Sequence, residues 1–288
     1  MLRFLLRQPI SLIHDFWVTI FARRMFYRFN RALFGLSLRG MGLLNCKSTH
    51  DTGEDFLISQ FLPRQLDLVI DVGANEGSYA INFKKHISIR RMICFEPHPE
   101  TFKKLVNNVS HLEVEVVNMG IGDSNQPMTL FDYADKDGSA HASLYKAVIE
   151  NIHGGASISH KVEMTTLDSF AHDNGISQID FVKIDVEGYE LSVLKGMKEL
   201  ISSRKVGYVQ VEFNEMNAVS KTFFEDICSH LPFHKPHRLL PHDMIDLSSK
   251  SIVERNLFAF QNIIFIPVDY KTSLYGNAAY ADERNREY

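Results

Sequence analysis

The alternation of short β-branched runs with helical stretches from Leu66 onward constrains this chain most. "LDLVIDVG" (66–73) is an apolar run that ends in glycine, "EGSYAINFKKH" has helical character, and "RRMICFEP" is a second run stopped by Pro97. "PETFKKLVNNV" carries Pro99 early in a helix and sets Phe102, Leu105, Val106 and Val109 on one face. "VEVVNMGIG" (114–122) reads as a third strand. Three βα units with short connections imply parallel strands in a doubly wound α/β sheet. A strand over 180–186, a helix over 189–203, a strand over 206–214, a helix over 218–230 and a last pair of strands near 234–240 and 256–267 extend it.

Three segments break this rhythm. Residues 123 to about 165 hold two strand-like pieces, "QPMTLFDY" and "SHKVEMTTL", around a Gly-, Ser- and His-rich stretch with the character of an inserted loop, where substrate-specific residues tend to sit. Residues 1–50 form a basic amphipathic segment, with about eight Lys or Arg up to Lys47 against the single acid Asp15, interleaved with Phe, Trp, Tyr and Leu at helical spacing. Such a segment suits a layer on the main domain, a homodimer contact or a peripheral contact with anionic lipid. Residues 271–288 read as a polar C-terminal tail, leaving 51–270 as the main domain.

Composition excludes several classes. The net charge of −4 gives the whole chain no nucleic-acid footprint. Cys46, Cys94 and Cys228 lie far apart, fitting neither a zinc site nor a disulfide framework, so a reducing cytoplasmic setting is expected. No apolar run is long enough to span a bilayer, and Arg3, Arg7, His14 and Asp15 leave no clean apolar stretch for a secretory signal.

The chemistry begins at "DVGANEG" (71–77), which closes the first strand and opens the first helix. Gly73 permits a tight turn and Gly77 close helix packing, the logic of a cofactor turn. Glu96 ends the second strand, where an acid accepts from the two hydroxyls of an adenosine ribose. A dinucleotide would ask for G-x-G-x-x-G, yet Asn75 stands at the second glycine and Asp71 brings a carboxylate that repels pyrophosphate. S-adenosylmethionine, with its ammonium and sulfonium, satisfies the same spacing with the opposite charge, so a dehydrogenase is disfavoured.

"DVGANEG", "FEPHPETFKKLVNNV", "NMGIGD", "TTLDSF" and "IDFVKIDVEGYELSVLKG", in that order, resemble the FkbM family of S-adenosylmethionine-dependent O-methyltransferases. The resemblance runs from about Asp67 to Asn214, and "FNRALFGLSLRGMGLLN" is similar to the N-terminal region of members associated with glycan modification. It implies a Rossmann-like class I methyltransferase fold, a mostly parallel seven-stranded sheet with an antiparallel last strand. It also implies methyl transfer to a hydroxyl, commonly on a sugar or polyketide. By position, Asp71, Gly73, Asn75 and Gly77 would form the methionine-side turn and Glu96 would hold the ribose. Asn118 to Asp123 would face the adenine, with Asp123 on its amino group, although Met119 and Gly120 depart from the small aliphatic pair more usual there.

In an open parallel sheet the ligand sits beyond the carboxyl ends of the strands at the topological switch point. Strand 180–186 ends there with Lys183, Asp185 and Glu187 alternating on one face. Methyl transfer must align two atoms and remove a proton from a weakly acidic hydroxyl, so Asp185 first and Glu187 second are the expected bases, with Lys183 tuning their charge. A buried Lys183–Asp185 ion pair that only orders the strand end is the alternative. Glu212 and Asn214 end the next strand and with Asp185 would be the ligands of any magnesium ion, while the same acids also suit sugar hydroxyls. His141 in the inserted loop is a further base candidate. The expectation is a cytoplasmic O-methyltransferase, peripheral at the inner face of the membrane if the N-terminal segment binds lipid, acting on a carbohydrate or glycolipid hydroxyl with S-adenosylmethionine. A non-catalytic S-adenosylmethionine- or glycan-binding module recruited through the N-terminal helices is the competing reading.

Overall fold

The computed structural model describes residues 7–135, 137–139, 141–152 and 154–268, so the expected tail at 271–288 lies outside the described residues. The chain divides into two compact units, one ending at Leu44 and the other beginning at Asn45. In the first, α1 (Arg7–Phe21) and α2 (Tyr27–Gly40) are joined through a 3-10 turn over Arg24–Phe26. Trp17, Phe21 and Phe29 stack between them, with ring centroids of Trp17 and Phe21 4.4 Å apart. Asn30 Nδ2 donates to the Phe21 carbonyl at 2.8 Å, satisfying an acceptor that the helix end leaves open.

The second unit is built on an eight-stranded sheet. Its strands are β1 (Gln65–Val72), β2 (Ser88–Phe95), β3 (Glu115–Val117), β8 (Ile179–Ile184), β9 (Val206–Phe213), β10 (His234–Leu239), β11 (Met244–Asp246) and β12 (Gln261–Pro267). They run in the order β11-β10-β12-β9-β8-β1-β2-β3. β3, β2, β1, β8 and β9 are parallel neighbours, while β12 runs antiparallel to both β9 and β10. This is the mostly parallel seven-stranded sheet with an antiparallel last strand, plus the short edge strand β11, which the sequence reading missed. The strand order reverses between β1 and β8, so the cleft beyond their carboxyl ends is the topological switch point.

Alternation along β1 and β8 explains their near-continuous apolar runs. Leu68, Ile70, Val72, Val182 and Ile184 join the core on one face of the sheet, and Val69 and Phe181 join the core on the other. Each such side chain contributes about 1.5–3 kcal/mol by leaving water.

Three boundaries differ from expectation. The third strand stops at Val117, and Gly120–Ile121 forms a separate strand, β4, paired in parallel with β7 (Met164–Thr165). The helix expected over 189–203 is two short helices, Glu190–Lys195 and Lys198–Ser202, separated by Gly196 and Met197. Strand 180–186 ends at Ile184, because the chain turns sharply afterwards. The inserted segment does contain two strands, β5 (Met128–Tyr133) and β6 (Ser157–Val162), paired antiparallel in a sheet of their own. Among the described residues no helix is long and apolar enough to cross a membrane.

Candidate active site

A cleft of about 490 Å³ opens at the carboxyl ends of β1, β2, β8 and β9, within the size range of small-molecule sites. Its floor is the turn after β1. Gly73 has φ +81°, and its Cα approaches the Asp185 carbonyl so closely that an added Cβ would lie 1.8 Å from that oxygen. The backbone N–H groups of Gly73 and Ala74 both donate to the Phe95 carbonyl, tying the β1 turn to the end of β2.

Glu96 follows directly. Its Oε2 accepts from Asn75 N at 3.0 Å and its Oε1 from His98 N at 2.8 Å, so the carboxylate is fixed while each oxygen keeps a lone pair. Burial pushes its pKa up to about 7, although those two backbone donors pull it down. Asn75, with φ +48°, lines the cleft and its buried Oδ1 has no hydrogen-bond partner.

The turn after β8 carries the second set. Glu187 has φ +51°, a conformation that costs a side-chain-bearing residue about 1–2 kcal/mol. Glu190 holds it there: its buried Oε1 accepts from Gly188 N at 2.9 Å and its Oε2 from Asn217 Nδ2 at 2.7 Å. From the inserted segment, Ser143 Oγ donates to the Glu187 carbonyl at 2.8 Å, and His141 Nδ1 lies 3.1 Å from Glu187 Oε1. Glu187 Oε2 is buried without a partner. Burial raises the Glu187 pKa more than its contact with His141 lowers it, with Asp185 adding to the rise.

Asp185 is differently placed. Its Oδ2 accepts from Lys183 Nζ at 2.8 Å, so its charge is already paired. Lys183 itself does not line the cleft; it belongs to a buried polar row in which Asp71, Lys183 and Gln210 are register partners across β1, β8 and β9. Tyr79 Oη and Gln210 Oε1 are hydrogen-bonded, Gln210 Nε2 donates to Glu54 Oε1 and Asn262 Oδ1, and Lys183 Nζ sits 4.8 Å from the Tyr79 ring centre. Asp71 is fully buried, outside the cleft lining and without a hydrogen-bond partner on either oxygen. Burial pushes its pKa up to about 6 against the opposing pull of Lys183.

Glu212 lines the cleft and accepts from Asn214 Nδ2 at 2.6 Å; burial, then Asp185 and Glu187, drive its pKa well above the carboxylate range. Asn214 Oδ1 accepts from Met216 N at 2.8 Å and its Nδ2 donates to Glu212, so the amide is held in place beside Glu212 with one lone pair left on its oxygen. Three metal-type donors do converge elsewhere among the described residues, on His98, Asp137 and His160. There His98 Nδ1 accepts from Glu100 N and Thr101 N as a helix cap, which leaves the proton of the neutral ring on Nε2, 3.0 Å from Asp137 Oδ1. That nitrogen is a hydrogen-bond donor, and the cluster ties the inserted segment to the end of β2.

The structure therefore brings Gly73, Asn75, Glu96, His141, Asp185, Glu187, Glu212 and Asn214 to one cleft. It leaves Asp71, Gly77, Lys183, Asn118 and Asp123 outside the lining. Gly77 faces helix Pro99–Val109, where a Cβ would come 2.8 Å from Leu105 and Val109. Asn118 Nδ2 donates to the Glu96 and Pro97 carbonyls, and Asp123 is exposed with an oxygen 3.4 Å from Tyr189 Oη. Gly120 and Ile121 reach the cleft in their place, beside Leu130, Leu144, Met164 and Tyr189. Glu54 and Glu190 escaped the sequence reading. Glu190 stands in "DVEGYE", three residues after Glu187, whereas nothing local marks Glu54.

Comparisons with known proteins bear on the family of this chain. The Methyltransferase FkbM domain matches residues 71–238. The 2-O-methyltransferase NoeI of Sinorhizobium fredii is 26% identical over 174 residues, 55% of this chain and 69% of that protein. The hexuronic acid methyltransferase AglP of Haloferax volcanii is 30% identical over 148 residues, 51% of this chain and 56% of that protein. A crystal structure of a methyltransferase FkbM from Methylobacillus flagellatus KT aligns with a TM-score of 0.41 at 17% identity, over 71% of this chain and 44% of that one. With the family match covering more than half of its length and falling on the turn, the cleft and the strands that build them, this chain belongs to the FkbM methyltransferase family.

Proposed function

We propose that the chain is an S-adenosylmethionine-dependent O-methyltransferase that methylates a neutral sugar hydroxyl in a glycan or glycolipid, with Glu187 as general base. The observation that carries this reading is the Glu187 turn: a backbone held at positive φ, one carboxylate oxygen on His141 and the other buried without a partner. Strain kept in place by surrounding bonds is what a catalytic group displays.

The cleft suits the cofactor by charge. Glu96 and Asn75 present acceptors, five carboxylates line the walls (Glu96, Asp185, Glu187, Glu212 and Glu215), and no Lys or Arg is among the described lining residues. A cation rich in donors is attracted there and a pyrophosphate is repelled. Glu96 would hold the ribose hydroxyls, Asn75 and the Gly73 turn the methionine end, and the apolar side made by Ile121, Leu130 and Met164 the adenine. Bound S-adenosylmethionine supplies an electrophilic methyl group on a sulfonium.

The residues then divide the work. Glu187 Oε2 takes the proton of the acceptor hydroxyl, and its raised pKa makes it a stronger base than an ordinary carboxylate. His141 fixes the other oxygen and so orients the group. Asp185, paired with Lys183, acts as a fixed charge, and Glu212, steadied by Asn214 Nδ2, faces the same cleft as a contact for the sugar hydroxyls. The same acidic lining favours a neutral sugar over a uronate, whose carboxylate would meet like charge.

Methyl-labelled S-adenosylmethionine, offered with a neutral hexoside or the matching hexuronide, tests this reading. Label should pass to the hexoside, and Glu187→Gln should lower kcat by about 10²–10⁴-fold with cofactor binding intact. Transfer to neither sugar, or an unimpaired Glu187→Gln, defeats the assignment; preference for the hexuronide defeats the neutral acceptor.

A further inference from the structure

The N-terminal unit presents to solvent what a globular domain usually hides. In α1, Leu12, Ile13, Phe16, Trp17 and Val18 are all exposed, and in α2 so is Leu36. The helical period sets Leu12, Ile13, Phe16 and Trp17 on one side of α1 and His14 and Asp15 on the other. In α2, Arg28, Arg31 and Arg39 share one face and Phe29 and Leu36 the neighbouring one. Across residues 1–44 there are seven arginines and one acid, a formal charge of +6 inside a chain whose total is −4. Arg23, Arg24, Arg28 and Arg31 are exposed.

We propose that this unit binds the surface of an anionic phospholipid membrane, with the apolar face of α1 and its aromatic cluster in the headgroup region and the arginines on lipid phosphates. Charge selects the occupant. A basic helix pair with Trp and Phe on its apolar side matches a surface that is negative outside and hydrocarbon beneath. A nucleic acid would satisfy the arginines and leave the apolar face wet. A second copy joined through the same unit would set arginine against arginine. Neither helix is long and apolar enough to span the bilayer, so the contact is peripheral. The inference stands on this unit alone and is independent of the activity proposed above.

Trp17 is the single tryptophan of the chain, so its emission reports this unit directly. The full-length protein is titrated with vesicles of phosphatidylglycerol and phosphatidylcholine in equal parts, and with phosphatidylcholine alone. The expected result is a blue shift of Trp17 and co-sedimentation with the anionic vesicles only, both reversed by high salt. Replacing Arg23, Arg24 and Arg28 together with Gln should weaken partitioning about a hundredfold, since each basic residue at an anionic surface contributes about 1 kcal/mol, a factor of about five. Phe16→Ser, a single exposed change, should weaken it with the arginines intact; an unchanged far-ultraviolet circular dichroism spectrum and melting curve for each variant confirms an intact fold. Absence of binding by the parent protein overturns the proposal. So does binding that ignores lipid charge, or a Trp17 already buried without lipid in a dimer seen by sedimentation velocity.

Discussion

Replacing Lys183 with methionine preserves side-chain length and removes the one cation in a buried row of acids. Lys183 is 9% exposed, lies 2.8 Å from Asp185 and opposes Asp71 in register. Asp71, with a folded pKa of about 6 against an ordinary 3.8, already withholds about 3 kcal/mol from stability at neutral pH. The folded state binds that proton more tightly than the unfolded chain does. The penalty is therefore absent below about pH 4, grows to about pH 6 and is complete above it. Without Lys183 the acids lose the charge that opposes these shifts, and breaking a buried pair costs about 3–5 kcal/mol. At about 2–4 °C per kcal/mol for a chain of this size, the Tm should fall by about 10 °C or more near pH 8. Near pH 5 the loss should shrink, because the orphaned acids take up protons. Thermal unfolding followed by circular dichroism at both pH values measures this. A variant as stable as the parent at pH 8, or one hurt more at pH 5, would refute the reasoning.

Other perturbations separate the roles within the cleft. Glu96→Gln should remove a pH dependence that the parent displays: S-adenosylmethionine affinity falling as pH drops through about 7 and Glu96 protonates, read by calorimetry across pH. Asp185→Asn should lower the Tm through Lys183 yet reduce kcat less than Glu187→Gln does, which steady-state kinetics and melting resolve together. Gly73→Ala, whose methyl would strike the Asp185 carbonyl at a φ of +81°, should destabilise by about 3 kcal/mol and weaken cofactor binding. Glu190→Gln should cost about 1–3 kcal/mol, because an amide donor replaces an acceptor against Gly188 N or Asn217 Nδ2, and should lower kcat through the Glu187 turn.

Patterns of local period carried the fold into the sequence. The runs 66–73 and 206–214 are strands because β-branched side chains fill both faces of a covered sheet, and that signal is local. β11, three residues long, lacked enough length to show a period. The turn after β1 was legible through Gly73 and Asn75, since the backbone there must take positive φ. The different partners of the two acids after β8 were not. Asp185 and Glu187 look alike at period two, and what parts them is a turn after Ile184 that gives one to Lys183 and the other to His141, forty-six residues away in sequence. Asp123 attracted the adenine contact on family position, while the interruption of the strand at Asn118 and Met119 brings Gly120 and Ile121 into the cleft. Glu54 joins Gln210 across 156 residues, a pairing that only the tertiary fold creates.

Calorimetric titration with S-adenosylmethionine, S-adenosylhomocysteine and NAD, on the parent and on Glu96→Ala, tests the central claim most directly. Binding of the first two by the parent, none of NAD, and at least about a tenfold loss in the variant, as expected when a charge-assisted hydrogen bond disappears, is the predicted result. Binding of NAD, or equal affinity for S-adenosylmethionine in parent and variant, would contradict it.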